Sequence, residues 1–444
     1  NIRYEKVQKL RIKLPHSSDI AKTWRIKTVW FKLTFFALLF FFANEGFSLG
    51  PWWHKPGQFN VADFGNALLW IFVLFSPALA RKRKEVFNPI SALVIFYILF
   101  ATFQIILAKF NYGQSLFDGL IGIRHQFYYL SFFAFLLLFD RVETIEKLLN
   151  LLVIMGIILV LLGVINYFGP KILYHRLVFA EKIRSGITRA YIPGMAIVTL
   201  AALWSFIEWI HGKKITLTLS ATIFLLAGHL LRQSRMRFVG LISVMALNLT
   251  FKKRWKPLLL LLLLSVGSFY LLEVKMQERI ITNIFSTAYT DVVKKKGTMK
   301  PRLDQMRIDF DEFKKHPLFG SGLAAIRWTT EGGGSRLQIL MKDLSYRSDL
   351  GYTHWIKFYG ITGLIWLFLF FFFQGYYGLK VLRNTSGTAK LLAVFSTSYL
   401  LFVVVSFFTL NHLMFPWGIT TVCLNAAIIV KLYWMLYRPE TTEL

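Results

Sequence analysis

The sequence predicts an all-α protein that crosses a membrane about twelve times, with one large, partly helical external segment between the ninth and tenth spans. Three observations predict this fold class. The 444 residues are 55% hydrophobic and 17% aromatic, and their mean hydropathy of +0.52 is too high for a soluble protein of this length. Apolar runs of about 17 to 25 residues, long enough to cross a bilayer, recur along the chain. Lys and Arg concentrate in short segments between alternate runs.

The apolar runs give the predicted spans in chain order. They lie at about residues 29–47, 61–80, 88–108, 122–139, 147–168, 191–210, 215–231, 237–251, 257–273, 358–379, 388–409 and 414–437. These spans divide the chain into three parts. Residues 1–273 form an N-terminal membrane region with spans one to nine, residues 274–357 form an external loop domain, and residues 358–444 form a C-terminal membrane region with spans ten to twelve.

The excess of positive charge predicts the orientation of the spans. The net charge is +29, and basic clusters lie in the N-terminal arm and at 81–84, 213–214 and 252–256. Because basic loops face the cytoplasm, both termini are predicted to be cytoplasmic and residues 274–357 to be external. The basic residues flank apolar runs, so their expected partners are anionic membrane lipids rather than nucleic acid.

Two short external segments depart from this charge pattern. One is the stretch 171–189, and the other is the turn LRQSRMRFVG, which contains Arg232, Arg235 and Arg237. Basic side chains that the topology rule disfavours are explained by a fixed anionic ligand at the outer membrane face. The alternative is that these side chains extend to lipid phosphates.

The external loop domain begins its charged part with a predicted amphipathic helix that Pro317 ends. Leu303, Met306, Phe310 and Phe313 recur at helical spacing, with charged residues around the other faces. The turn at 320–322 follows, and its two glycines allow backbone amides to approach an anionic ligand.

An acidic run within this helix raises the question of a metal site. Asp309, Asp311 and Glu312 resemble the acidic pairs that hold divalent metals, but residues two apart on a helix point in nearly opposite directions. We therefore expect a solvated helix face and no metal. Cys423 is the single cysteine, which excludes a disulfide within the chain and a thiolate metal cluster.

Arginines near the predicted outer face are the candidates for binding a diphosphate. A guanidinium stays charged and binds phosphate through two parallel hydrogen bonds, so a group of them can stabilise a departing diphosphate without a metal. The candidates are Arg124, Arg189, Arg232, Arg235, Arg302 and Arg347.

Asp349 and His354 are the candidate catalytic bases. They lie five residues apart in RSDLGYTHW, just before the tenth span, where a lipid-linked substrate presents its head group. The alternative interpretation is structural. Asp349 then caps the helix that enters the membrane, and His354 is an interfacial side chain.

Three motifs in this order carry a family resemblance. They are SRMRFVGL at 234–241, HPLFGSGL at 316–323 after an Arg-led helix, and GITG at 360–363. Over roughly residues 230–370 the chain resembles the bacterial O-antigen ligase and O-antigen polymerase superfamily. In that pattern Arg235 matches the arginine of the first motif, Arg302 matches the arginine that leads the loop helix, and the glycines at 320, 322, 360 and 363 match the glycine framework. Arg232 and Arg347 are added from charge and position alone.

The resemblance implies an integral membrane glycosyltransferase of the C-type fold that inverts the anomeric carbon and needs no nucleotide sugar, metal or other cofactor. Such an enzyme sits in the bacterial inner membrane and takes a glycan from undecaprenyl diphosphate at the periplasmic face. The acceptor hydroxyl belongs to lipid A core for a ligase, or to another lipid-linked repeat unit for a polymerase. A chain-length regulator or a flippase is the protein partner that this role implies.

One position departs from the family pattern. The superfamily has a histidine eleven residues before the first glycine of GxxG, and here that position holds Asp349, with His354 five residues later. Because ligases depend most on that histidine, the departure favours an O-antigen or exopolysaccharide polymerase over a ligase. A transporter of lipid-linked glycans is the alternative from another class, and it predicts internal repeats, which are not obvious here. A membrane scaffold subunit would leave the external basic residues unexplained.

Overall fold

The computed structural model describes residues 17–49, 60–76, 83–170, 172–173, 183–184, 187–188, 190–232, 234–252, 299–323 and 350–437. Within these ranges the protein is almost entirely helical, apart from one hairpin of two-residue strands. The predicted all-α fold class is confirmed at this level.

The elements follow one another in this order. The first half has α1 (Ser17–Ala43), α2 (Val61–Phe75), α3 (Arg83–Val86), α4 (Pro89–Tyr112), α5 (Leu116–Ile123), α6 (Ser131–Leu138) and α7 (Val142–Phe168), with 3-10 turns at Glu45–Ser48 and Arg124–Leu130. Strands β1 (Ile183–Arg184) and β2 (Ile187–Thr188) pair antiparallel, with Ile183 opposite Thr188. The second half has α8 (Met195–Ile210), α9 (Ile215–Leu231), α10 (Arg235–Phe251), α11 (Met299–Lys315), α12 (Tyr352–Asn384), α13 (Gly387–Ser406) and α14 (Pro416–Tyr437).

Six helical units are long and apolar enough to cross a membrane. They are Pro89–Tyr112, Leu116–Leu138, Val142–Phe168, Tyr352–Asn384, Gly387–Ser406 and Pro416–Tyr437. Five shorter apolar helices fall on other predicted spans: Thr28–Ala43, Val61–Phe75, Met195–Ile210, Ile215–Leu231 and Met236–Phe251. The predicted span at 257–273 lies outside the described residues. The total of twelve spans and the external position of 274–357 stay predictions.

Local sequence explains both ends of α4 and the tight turn that leads into α5. The Asn88 side chain accepts a hydrogen bond of 3.0 Å from the amide of Ser91, and Pro89 occupies the first helical position of α4. Gly113 ends α4 in the left-handed conformation, with φ of 70°. Ser115 then caps α5 by accepting from the amide of Asp118. This short turn places the end of α4 next to the candidate site.

Aromatic side chains fasten the start of α12 to α4. The Tyr97 ring stacks on Trp355 at 5.4 Å between centroids, and Trp355 stacks on Trp366 at 5.5 Å. The Tyr97 hydroxyl lies 2.9 Å from Gln126 Oε1 and 2.8 Å from the Tyr359 hydroxyl. All five side chains are buried. Aromatic packing of this kind, with its polar ends hydrogen-bonded, holds the first turns of α12 in place.

Ion pairs join the helices at the other end of the bundle. Lys213 pairs with Glu146 at 2.7 Å, Lys431 pairs with Glu85 at 2.8 Å, and Lys32 pairs with Asp140. The loops at this end are the ones whose charge predicts a cytoplasmic position. The opposite end, where α4, α10, α11, α12 and the α13–α14 connection meet, contains the candidate site.

Candidate active site

Helix α11 is present as predicted, but the face that it buries is not the predicted one. Phe310, expected on the apolar stripe, is 45% exposed, whereas Asp309 is fully buried and Glu312 is 4% exposed. The expectation of a solvated acidic face is therefore wrong for these two carboxylates. The physical reason is that α12 supplies partners for Asp309 and α4 supplies a partner for Glu312, so the charged face packs inward.

Asp309 is the centre of a buried polar network between α11 and α12. Its Oδ2 atom lies 3.0 Å from His354 Nδ1, and its Oδ1 atom lies 2.9 Å from Lys357 Nζ. Gln305 Nε2 donates a further hydrogen bond of 2.9 Å to Oδ1. Asp309, His354 and Lys357 are all fully buried. Both carboxylate oxygens are thus compensated, which a buried charge requires.

The network determines the protonation of the Asp309–His354 pair. Burial raises the pKa of the Asp309 carboxyl, but the hydrogen bond from His354 and the charge of Lys357 outweigh it and hold the pKa below its ordinary value of 3.8. An ionised carboxylate only accepts hydrogen bonds, so His354 Nδ1 is the donor in this pair. In the neutral imidazole, Nε2 is then the nitrogen that can accept a proton.

Glu312 ties α11 to the end of α4. The Tyr112 hydroxyl donates a hydrogen bond of 2.8 Å to Glu312 Oε1, and Lys315 Nζ lies 2.9 Å from Oε2. The contact lies one turn after Asp309 on the same side of α11. It therefore helps to fix the rotation of α11 that directs Asp309 at His354.

Helix α12 is broken at Gly360, whose backbone has φ of 60° and ψ of −159°. The break frees two amides that the preceding segment satisfies. Ile361 donates to the carbonyl of Pro317 at 2.9 Å, and Thr362 donates to that of Leu318 at 3.1 Å. The HPLFGSGL segment is thus inserted into the break as a backbone partner.

The glycine turn at 320–322 serves this insertion. The Ser321 amide donates to the Lys357 carbonyl at 2.9 Å, and the Gly320 amide donates to the His316 carbonyl at 3.0 Å. The expectation that the turn presents its amides to an anion is therefore wrong for these two residues. A Cβ atom at Gly320 would collide with the backbone of Phe358, which explains the need for glycine.

Three amide side chains from α4 and the turn after it contact the side of the HPLFGSGL segment that faces away from α12. Gln104 donates to the Phe319 carbonyl at 3.1 Å, and Asn111 donates to that of Ser321 at 2.9 Å. Gln114 donates to the Leu323 carbonyl at 3.2 Å. The segment is thus fixed by α4 on one side and by α12 on the other.

The predicted arginines occupy different surroundings. Arg302 lies in the first turns of α11, on the face of Asp309 and about 10 Å from it along the helix axis. The Arg232 guanidinium lies over the Tyr191 ring at 4.6 Å and donates to the Ile192 carbonyl at 3.3 Å. Arg124 forms an ion pair of 3.2 Å with Asp63.

The remaining predicted site residues lie partly or wholly outside the described residues. Arg235 is the first residue of α10, but the position of its side chain lies outside what the structure describes. Arg189, Arg347 and Asp349 lie outside the described residues altogether. Their roles stay predictions.

The end of α13, the start of α14 and the connection between them form one corner that contacts the starts of α10 and α12. On the α12 side, the Tyr352 hydroxyl donates to the Val404 carbonyl at 2.8 Å, and Trp355 packs on Phe407. On the α10 side, the Arg237 guanidinium lies 4.7 Å above the ring of Trp417. The starts of α10 and α12, which the sequence predicts to form the site, are thus both in contact with this α13–α14 corner.

The starts of α10 and α12 lie in a part of the chain that matches a known family model. Residues 220–368 match the O-antigen ligase family model. The matched range runs from α9 into α12 and includes Arg232, Arg302 and His354. No curated protein matches the chain. The resemblance to the O-antigen ligase and polymerase superfamily is confirmed for this region.

The O-antigen ligase match indicates a membrane glycosyltransferase of the ligase and polymerase type. Enzymes of this family act on lipid-linked glycans and lipid A core in general. Together with the six membrane-length helices, the match indicates an inner-membrane protein.

Sequence reasoning missed three participants in this O-antigen ligase region. The sequence pattern places Asp309 on a solvated helix face, assigns no role to Lys357, and includes Arg237 only as a member of the basic turn. A usable signal was present for Lys357, because residues three apart on a helix lie on one face and His354 precedes it by three. Asp309 and His354 are 45 positions apart in the sequence, and nothing in the pattern connects them.

His412, in the α13–α14 connection, makes the stability of the protein sensitive to acid. Burial lowers the pKa of this imidazole from 6.5 to about 3, with a smaller contribution from the charge of Arg237. In the unfolded chain this imidazole binds a proton below about pH 6.5, whereas in the folded protein it stays neutral down to about pH 3. The free energy of unfolding therefore falls as the pH falls from 6.5 towards 3. Between pH 7 and pH 5 the loss is about 2 kcal/mol.

The measurement is the thermal unfolding midpoint of the detergent-solubilised protein at pH 7 and pH 5. Replacing His412 by Gln is expected to reduce the difference between the two midpoints. An unchanged difference in the variant would assign the acid sensitivity to other groups.

Proposed function

We propose that this chain transfers a glycan from undecaprenyl diphosphate to a sugar hydroxyl at the periplasmic face, as an O-antigen or exopolysaccharide polymerase. The observation that supports the proposal is the buried hydrogen bond between Asp309 and His354 inside the family-matched region. The carboxylate orients the imidazole so that Nε2 is the proton acceptor. An oriented base next to an arginine-bearing helix is what metal-independent glycosyl transfer needs.

The proposed reaction is a single displacement with inversion. The acceptor hydroxyl attacks the anomeric carbon of the donor while its proton passes to His354 Nε2. The bond between the anomeric carbon and the diphosphate oxygen breaks, and its electron pair stays on undecaprenyl diphosphate. Arg302 and Arg235, with Arg232 or Arg347, stabilise the charge on the departing diphosphate.

The burial of His354 adds a requirement to this mechanism. A fully buried imidazole meets the acceptor only after part of its cover has moved. Helix α11 must keep the Asp309 contact that orients the imidazole, so the proposal includes an opening of the cover over Nε2 on donor binding, with α11 in place.

Asp349 is the second candidate base. It occupies the position of the family histidine in the sequence pattern. Separate replacement of Asp349 and His354 decides between them.

Product analysis tests the function itself. Purified protein is incubated with an undecaprenyl-diphosphate-linked repeat unit, with and without lipid A core. A ladder of longer lipid-linked chains is expected without the core. A conjugate that forms only with the core would identify a ligase, and the absence of any new glycosidic bond would contradict both assignments.

Arg302 offers a test of the diphosphate-binding role. Replacing Arg302 by Lys is expected to lower transfer by about 10- to 100-fold, because an ammonium cannot make two parallel hydrogen bonds to phosphate. The matched control is Arg307→Lys on the exposed face of the same helix, which is expected to leave transfer unchanged. Equal activity of the two variants would remove Arg302 from the site.

The transporter alternative gains one observation from the structure. Interrupted helices are a feature of secondary transporters, and α12 is interrupted at Gly360. Reconstituted protein that moves a labelled lipid-linked glycan across a vesicle bilayer, without forming a new glycosidic bond, would favour transport.

A further inference from the structure

A second group of polar side chains, three of them buried, lies where the end of α9 meets the start of α10, the α13–α14 connection and the first turn of α14. We call it the junction cluster and define it as His229, Arg237, Asn411, His412 and Trp417. The protonation argument for Asp309 and His354 uses none of these residues. The cluster lies within the same end of the bundle, on the α10 side of the α13–α14 connection.

Unpartnered polar atoms mark the junction cluster. Asn411 is 3% exposed, and neither its Oδ1 nor its Nδ2 atom has a hydrogen-bond partner in the part of the chain that the structure describes. The same holds, among the described residues, for Nδ1 of His412 and Nδ1 of His229, both of which are buried. Buried side-chain polar atoms are normally hydrogen-bonded, so these four atoms call for polar partners beyond the described residues.

The other ring nitrogens of the two histidines are engaged. His412 Nε2 lies 2.7 Å from Ser406 Oγ, and His229 Nε2 lies 3.4 Å from Thr199 Oγ1. These contacts fix the imidazole rings. Both Nδ1 atoms are thereby left as the available polar atoms of their rings.

Arg237 brings a positive charge to the junction cluster. Its guanidinium lies 4.7 Å above the Trp417 ring, and the His412 ring lies 5.8 Å from the same indole. The charge of Arg237 acts electrostatically on both His229 and His412. His229 belongs to this junction because its carbonyl accepts from the Ser234 amide at 3.3 Å, and Asn411 directly precedes His412 in the connection.

The composition of the cluster selects a class of ligand. An amide and two neutral imidazoles donate to and accept from hydroxyl groups, and a guanidinium binds phosphate. A sugar phosphate carries both kinds of group. A divalent metal fits poorly, because the guanidinium would repel it, and no group of three or more His, Cys, Asp or Glu suited to a metal occurs among the described residues.

We propose that the junction cluster binds the sugar residue attached directly to the diphosphate of the lipid-linked donor. Asn411, His412 and His229 bind its hydroxyl groups, and Arg237 binds the adjoining phosphate. This inference rests on the proposed function. It assigns to the α13–α14 connection the recognition of the first sugar.

Binding of two lipids to the purified protein tests this assignment. The probes are undecaprenyl diphosphate and the same lipid carrying one sugar, both measured by the shift that they cause in the thermal unfolding midpoint and by direct titration. The wild-type protein is expected to bind the sugar-carrying lipid about 10-fold more tightly, because only that lipid satisfies the buried amide and imidazoles.

Asn411→Leu is the informative variant. It is expected to lose the preference for the sugar-carrying lipid while binding undecaprenyl diphosphate like the wild type. Its unfolding midpoint without lipid is expected to stay equal or to rise, because the substitution removes an unpartnered buried amide. The control is Asn425→Leu, a buried asparagine of α14 whose Nδ2 donates to Gln374 Oε1, which is expected to keep the preference.

The outcomes separate this inference from the proposed function. Equal binding of the two lipids by the wild type, an unchanged preference in Asn411→Leu, or a complex structure with only ordered water at Asn411 would each overturn the inference. A protein that prefers the sugar-carrying lipid but forms no glycosidic bond would overturn the proposed function and leave the inference in place.

Discussion

Replacing His354 by Gln is expected to lower glycan transfer by about 100- to 10,000-fold, which is the range for loss of a general base. The side chain keeps a similar volume and a donor for Asp309, but it has no group that accepts the acceptor proton at neutral pH. The measurement is the initial rate of transfer with a purified lipid-linked donor, together with donor binding, which is expected to be retained.

The contribution of Asp309 requires a charge-balanced design. Asp309→Asn alone leaves Lys357 as a buried charge without its carboxylate partner, which costs about 3–5 kcal/mol and endangers the fold. The double variant Asp309→Asn with Lys357→Met has no buried charge at this point. It is expected to fold and to show reduced transfer with an altered pH profile, because Asp309 acts as a positioning residue for the imidazole.

A second carboxylate of α11 provides the matched control. Asp311→Asn changes an exposed carboxylate on the same helix and is expected to leave the rate unchanged. Wild-type transfer by His354→Gln, combined with loss of transfer by Asp349→Asn, would assign the base to Asp349.

Replacing Gly360 by Ala is expected to abolish the folded protein. The backbone at Gly360, with φ of 60° and ψ of −159°, lies in a region that is essentially reserved for glycine. A Cβ atom there would also lie 2.6 Å from the Gly320 amide nitrogen and from the Leu318 carbonyl oxygen. The strain and the lost hydrogen bonds together exceed about 3 kcal/mol.

The measurement is the yield of monodisperse protein in detergent and its unfolding midpoint. Gly375→Ala is the control in the same helix, because a Cβ atom there would meet its nearest neighbour at 3.9 Å. This control is expected to behave like the wild type. Normal yield and midpoint for Gly360→Ala would show that α12 does not need its break.

The membrane-spanning helices were predictable from the sequence because bilayer thickness sets the length of an apolar run. The six long units and the five shorter apolar helices fall on predicted spans. The ends of the helices were less predictable. Residues 122–139 were assigned to one span, whereas the structure has a 3-10 turn at Arg124–Leu130 between α5 and α6.

The site was predictable where it depends on local backbone geometry. The family resemblance implies a framework that includes the glycines at 320 and 360, and both have positive φ where two backbone segments approach closely. The direction of side chains was less predictable. A helical pattern places Phe310 on the apolar stripe, but the partners of Asp309 and Glu312 decide which face of α11 packs inward.

The sequence by itself determined that this chain is a multi-span helical protein with an O-antigen ligase region, because span length, basic loops and glycine spacing are local properties. Only the tertiary structure decided that His354 pairs with Asp309, that Lys357 neutralises the same carboxylate, and that the Asn411 side chain is buried with no hydrogen-bond partner among the described residues. The physical reason is that burial of a charge or an amide depends on which distant groups lie within about 3 Å of it, and such distances arise only when the helices pack.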